Sequence, residues 1–160
     1  MSGKSEKLIV EKANIDDVPY IHLLINHYAQ EGQMLPKTLS YLYEHLRQYV
    51  VVRSEGQIVA VGGLRIFWSD IAEICSVAVA EGYYRRGLGA QIIRYLEKEA
   101  LSLGLNRIFA LTYQTAFFVS LGFVPIERSL LPQKIWQDCF NCPKYHNCDE
   151  QAVVKKLFKK

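Results

Sequence analysis

No apolar run in the chain is long enough to cross a bilayer, and the opening MSGKSEK lacks the apolar core of a secretion signal. These absences argue against a membrane-spanning helix and lead us to expect a cytoplasmic protein. Charge of one sign is also scarce: 19 Lys and Arg against 16 Asp and Glu leave a net charge of +3. That is too little to mark a nucleic-acid or membrane partner, although it suits a small anion if gathered at a pocket. With no internal repeat and no linker, residues 1–160 are expected to form one domain, large enough to bury a core without covalent staples. In a reducing compartment the four cysteines read as thiols or metal ligands, not disulfides.

Half of the residues are apolar, and their spacing sets the element order. Leu8 to Ala13 reads as a strand. A helix capped by Asn14 or Asp16 follows, with Val18, Ile21, Leu24 or Ile25, and Tyr28 on one face, Pro19 in its first turn and Gly32 at its end. Leu39, Leu42 and Leu46 mark a second helix. Tyr49–Arg53 and Ile58–Trp68 are β-branched runs joined by Ser54-Glu55-Gly56-Gln57, a hairpin signal. Next come a strand over Ala72–Val79, a helix over Leu88–Leu103 stopped by Gly104, and a strand over Arg107–Thr112. A short helix over Thr115–Leu121, a strand over Phe123–Arg128 and a last strand over Ala152–Phe158 complete the order. The pattern predicts an α/β (α+β) protein with a mixed sheet.

The stretch Val77-Ala78-Val79-Ala80-Glu81-Gly82-Tyr83-Tyr84-Arg85-Arg86-Gly87-Leu88-Gly89-Ala90 passes from strand to helix through a basic, glycine-containing turn. The first turn of a helix offers unpaired N–H groups and a positive dipole end, so this is an anion cradle. Gly87 and Gly89 let a pyrophosphate approach the backbone, and Arg85 and Arg86 can add charge-assisted contacts. An ordinary strand-to-helix turn carrying two surface arginines would have the same composition. The third glycine and acidic residue of a Rossmann fingerprint are missing, and no GK[ST] follows as in a P-loop.

The segment resembles the acetyl-CoA-binding motif of Gcn5-related (GNAT) N-acetyltransferases, a strand followed by [QR]-x-x-G-x-[GA] at a helix start. Tyr84 stands where the family has Gln or Arg. Thr115 to Phe123 is similar to the later family segment in which a short helix leads into L-G-F. The resemblance implies the acyl-CoA N-acyltransferase fold: a mostly antiparallel mixed sheet of about seven strands with helices on both faces. It also implies acetyl-CoA as cosubstrate, bound by Val77, Ala78, Val79, Tyr84, Arg85, Arg86, Gly87, Leu88, Gly89, Ala90 and Phe118.

Acetyl transfer to an amine needs a base for the ammonium, donors for the developing oxyanion and a leaving thiolate. Glu73 is the candidate base: strand alternation sets it on one face with Cys75, Val77 and Val79, fourteen residues before Gly87. Some GNAT members use a glutamate at this place, and partial desolvation would raise its pKa toward neutrality. An edge glutamate paired with a surface lysine is the competing reading. Backbone N–H groups around Val77–Val79 would polarise the thioester if the strand splays there, as it does in the family. Many relatives carry a leaving-group Tyr at the position of Phe118, which has no proton to give. A water, Tyr113 or Ser120 remains open for that step, as does departure of the thiolate without an acid. Cys75 is read as packing, with direct transfer preferred to an acetyl-cysteine intermediate.

Met34-Leu35-Pro36-Lys37, Gly62-Gly63-Leu64-Arg65, Leu111-Thr112 and Leu131-Pro132-Gln133-Lys134 resemble the transferase domain of N-acetylglutamate synthases, in a form without their kinase-like domain. That resemblance implies an amino-acid acceptor, L-glutamate above others, and a place in arginine biosynthesis. Two carboxylates call for at least two fixed cations, and Lys37, Arg65 and Lys134 are the candidates, each otherwise a solvated charge. Cys139, Cys142 and Cys148, with His146 and Asp149 beside them, are compatible with one zinc ion. Redox-sensitive thiols and simple packing remain open for the same loop. Neither nucleic acid nor membrane is expected as a partner, and a homodimer is compatible with the sequence.

Overall fold

The computed structural model describes residues 7–131 and 150–158. Its elements run β1 (Val10–Lys12), α1 (Val18–Gln30), α2 (Leu39–Glu44), β2 (Tyr49–Ser54), β3 (Gln57–Trp68), β4 (Ile71–Val79) and α3 (Leu88–Ser102). They continue with β5 (Arg107–Thr112), α4 (Thr115–Ser120), β6 (Val124–Ile126) and β7 (Gln151–Lys156). The predicted order is therefore the observed one. The seven strands form one mixed sheet in the order β1-β2-β3-β4-β5-β7-β6. Contacts divide the chain into two compact units, residues 1–63 with 76–95 and residues 64–75 with 96–160, so the division falls inside β3, β4 and α3.

In the first unit, a 3-10 turn over Ile15–Asp17 with reciprocal caps leads into α1. The Asn14 side chain accepts from the Asp16 N–H at 3.1 Å, and the Asp17 carboxylate accepts from the Asn14 N–H at 2.7 Å. Val18, Ile21, Ile25 and Tyr28 recur every three or four residues, which sets them on one helical face. All four are buried against Leu42, Tyr49, Val51, Val61 and Ala78. Full burial of a side chain of this size contributes about 1.5–3 kcal/mol, so this face is what fixes α1. Asp17 is also buried, and its carboxylate is bound by the Arg53 guanidinium, which meets Glu11 as well. β1 and β2 pair antiparallel, as do β2 and β3. The β2–β3 turn has left-handed Glu55 (φ 53°) and Gly56 (φ 79°), the primed geometry that matches strand twist.

In the second unit, β5 is flanked on both sides. It pairs in parallel with β4, Ile71–Glu73 against Arg107–Phe109, and antiparallel with β7. β6 pairs antiparallel with the other edge of β7. Phe67, Ile71, Phe109, Leu131 and Ala152 form the core. Lys155 on β7 donates to Glu97 Oε1 of α3 at 2.9 Å and to the Leu121 carbonyl at 2.7 Å, closing the end of α4. Gly122, in the predicted L-G-F, has φ 96°, and a Cβ there would lie 3.2 Å from Lys155 Cε.

Element ends differ from expectation in physically simple ways. Leu103 is 56% exposed and lies past the last turn of α3, whose buried stripe is Leu88, Ile92, Ile93, Leu96 and Ala100. α2 stops at Glu44, where the His45 ring meets the Tyr41 carbonyl at 2.9 Å, and Leu46 opens a separate 3-10 turn. β6 is shorter than Phe123–Arg128 because Arg128–Leu130 forms another 3-10 turn.

Candidate functional site

β4 delivers the chain to the glycine turn. Glu73 is half-buried on β4 and stands opposite Phe109 in the β5 register. Cys75 is half-buried too. Ser76 then takes φ 54°, a left-handed residue inside a strand, just before Val77. Such an interruption re-aims the backbone groups that follow it. Val77 and Val79 are half-buried and Ala78 is buried in the first unit's core.

The turn itself is built from backbone. Gly82 (φ 90°), Arg85 (φ 64°) and Gly87 (φ 76°) are all left-handed. Positive-φ residues close together in a turn can curl successive N–H groups toward one side, as in an anion nest. The Gly87 carbonyl accepts from the Gln91 N–H at 3.0 Å, which makes Gly87 the residue from which α3 starts. The N–H groups of Leu88, Gly89 and Ala90 thus fall in the first turn, where the helix supplies them no carbonyl. A Cβ built on Gly87 meets nothing within 4 Å, so space is open on that side and φ is what requires glycine.

The side chains around the turn are engaged in ways the motif does not reveal. Arg86 stacks on the Tyr83 ring at 4.7 Å, and the Tyr83 hydroxyl donates to Ser54 Oγ at 3.1 Å. Arg85 is exposed. Tyr84, at the family's Gln or Arg position, is 52% exposed, yet its hydroxyl meets that of buried Tyr28. Tyr28 Oη also donates to the Val79 carbonyl at 2.5 Å. Burial, then the bond from Tyr84, pushes the Tyr28 phenol well above its ordinary pKa.

Among the acceptor candidates, Lys37 is half-buried with Nζ 4.5 Å from the Tyr41 ring centroid. Its backbone is gripped by Asn26 of α1, which accepts from its N–H at 3.2 Å and donates to its carbonyl at 2.9 Å. Arg65 is half-buried on β3, its guanidinium 4.8 Å from the Phe67 ring. Phe118 is 6% exposed, edge-on to Phe123 at 5.1 Å and to Phe117 at 5.5 Å. Of the other groups considered for the leaving thiolate, Ser120 donates to the Phe117 carbonyl at 2.5 Å, and Tyr113 is 36% exposed. Lys134, Cys139, Cys142 and Cys148 lie outside the described residues, as do His146 and Asp149. Among the described residues, His27, Glu31 and Glu81 bring ligand atoms within 4.8 Å of one another, all three exposed.

Tyr28, Asn26 and Ser54 escaped the sequence patterns as site-supporting residues. Tyr28 was legible only as core. Its one available signal was that a buried phenol needs a polar partner.

A sheet of this order, with a left-handed basic turn feeding a helix start from the fourth strand, is the architecture of acyl-CoA-dependent N-acyltransferases. The family model "Acetyltransferase (GNAT) family" matches residues 18–123. The chain belongs to that family and is an acetyl-CoA-dependent N-acetyltransferase. It is 36% identical over 148 residues to an uncharacterized N-acetyltransferase of Chlorobaculum tepidum, covering 92% of this chain and 96% of that one. It is 35% identical over 133 residues to the amino-acid acetyltransferase of Mycobacterium tuberculosis, 81% of this chain and 76% of the relative. The N-acetylglutamate synthase of Neisseria gonorrhoeae, solved with coenzyme A and N-acetyl-glutamate, superposes with a TM-score of 0.87 at 23% identity. That match covers 98% of this chain and 36% of the synthase, and at this identity it speaks to fold. A Mycobacterium tuberculosis protein solved with CoA matches at TM-score 0.80 and 28% identity, over 94% of this chain and 99% of that one. No helix among the described residues is long and apolar enough to cross a membrane.

Proposed function

We propose that the enzyme transfers the acetyl group of acetyl-CoA to the α-amine of an amino acid, with L-glutamate as the acceptor. The observation that carries the amino-acid class is the 35% identity to an amino-acid acetyltransferase across most of both chains. Glutamate rests on narrower support: the dicarboxylate needs fixed cations, and Lys37 and Arg65 are each half-buried with the cation held against an aromatic ring. Lys134 is the third cation of the reading. We also read residues 1–160 as one catalytic domain, since the family match runs through both compact units.

In this reading Glu73, directly or through a water, takes a proton from the ammonium, and the freed amine attacks the thioester carbonyl. The oxygen becomes an oxyanion held by backbone N–H groups of Val77–Val79, where left-handed Ser76 interrupts the strand. Collapse of the intermediate forms the amide and expels the CoA thiolate, a fair leaving group that needs no donor at Phe118, and the second amine proton passes to that thiolate, directly or through water. The N–H groups of Leu88, Gly89 and Ala90, with Arg85 and Arg86 beside them, bind the pyrophosphate.

Thiol release from acetyl-CoA across a panel of amino acids, other small amines and peptide N-termini tests the acceptor. Glutamate should give the highest kcat/KM. Turnover of glutamate no better than that of unrelated amines would remove the assignment, and acetyl-CoA binding without turnover on any amine would favour a sensor.

A further inference from the structure

The loop between β4 and α3 has three left-handed residues in six positions, from Gly82 to Gly87. A loop so rich in unusual backbone conformations needs external restraint to keep one shape. We propose that Tyr84 and Tyr28 are a positioning pair that holds this loop in its anion-binding shape, with Tyr84 acting through its hydroxyl and not through its ring. The proposal rests on residues 85–90 being the acetyl-CoA cradle.

Proton direction follows from the partners. A carbonyl can only accept, so the Tyr28 hydroxyl spends its proton on Val79, the last residue of β4. The Tyr28 oxygen is then an acceptor, and Tyr84 must be the donor to it. The chain Tyr84–Tyr28–Val79 thus joins the middle of the loop to the strand that enters it, through a side chain rooted in α1. Tyr28 is a firm anchor: it is 7% exposed and packed in the first unit's core, with the His27 ring edge-on at 4.9 Å. Its raised pKa keeps it protonated, and therefore a donor, throughout the neutral range.

Tyr84 is held at its tip. The ring is half exposed, and the hydroxyl is the end tied to the protein. The adjacent residue is left-handed Arg85, so a shift of Tyr84 turns the backbone N–H groups that precede the helix. The neighbouring contact of His27 Nε2 with Glu81 Oε1 at 3.3 Å docks the same loop on α1. It is exposed on both sides, and pairs of that kind contribute little.

Tyr84→Phe keeps the ring and removes only the donor. We expect the Kd and KM for acetyl-CoA to rise about 3- to 10-fold, the loss of one hydrogen bond, with kcat and melting temperature unchanged. Tyr28→Phe should weaken acetyl-CoA by a similar factor. The double variant should be no weaker than the worse single one, because both substitutions cut one chain. A purely structural role would instead lower the melting temperature and the active fraction at constant KM. Calorimetric Kd values separate the layers. Wild type that fails to bind acetyl-CoA overturns the cradle itself. Wild type that binds, with Tyr84→Phe binding equally well or the two substitutions adding fully, overturns the pair alone.

Discussion

In the proposed mechanism Glu73 is the residue on which the chemistry turns. Glu73→Gln keeps size and hydrogen bonding but cannot take a proton. If Glu73 is the base, kcat should fall about 10²–10⁴-fold while the calorimetric Kd for acetyl-CoA stays put; an equal loss in both would make the residue a binding group. At this scale the sequence was informative wherever spacing along the chain carried the meaning. Gly87, Gly89 and Glu73 could be placed on their elements, because a strand and a helix start impose a register. Tyr84 was recognisable as a departure, but its partner was not. The two hydroxyls that meet are 56 positions apart, and Tyr28 looked like one more core residue of α1. Asn26 was hidden for the same reason: its two bonds to Lys37 cross from one helix to a loop eleven positions on.

At the scale of elements, the joint between α4 and β6 combines three constraints in one residue. Gly122 is left-handed at φ 96°, it follows a helix whose carbonyls are closed by the bonds of Gly122 and Phe123, and it passes close under Lys155. Gly122→Ala should cost about 1–2 kcal/mol from the backbone conformation, more if the Lys155 clamp on Glu97 must give way. A urea midpoint measured against wild type checks it, and an unshifted midpoint would mean that the joint relaxes freely. Elements of this kind were legible because glycine ends helices and alternation marks strands: α1, α3 and α4 all stop at the glycines expected. Their exact limits were not. Leu103 and Leu46 fit a helical period that the backbone leaves early, since periodicity says which face an apolar residue would occupy and not whether the hydrogen bonds continue.

At the scale of the whole molecule, sheet order departs from chain order at one place. β7 lies between β5 and β6. Each of those strands depends on it for an antiparallel partner, through Arg107–Thr112 on one side and Val124–Ile126 on the other. Deletion of residues 151–160 should therefore abolish cooperative thermal unfolding of the second unit, read as loss of a sigmoidal melt by circular dichroism. A truncated chain with a sharp melt would show that β5 and β6 find another arrangement. Strand content was readable from composition, but insertion of the last strand was not: nothing in an apolar run says which two neighbours it will separate.

The late arrival of β7 also has a consequence in time. Thirty residues separate the end of β6 at Ile126 from the end of β7 at Lys156. At synthesis rates of about 5–20 residues per second, that interval lasts roughly 2–6 s. Throughout it, β5 and β6 each lack the antiparallel partner that β7 supplies among the described residues. Until β7 is made, such an unpaired edge is a template on which another emerging copy of the acetyltransferase can pair.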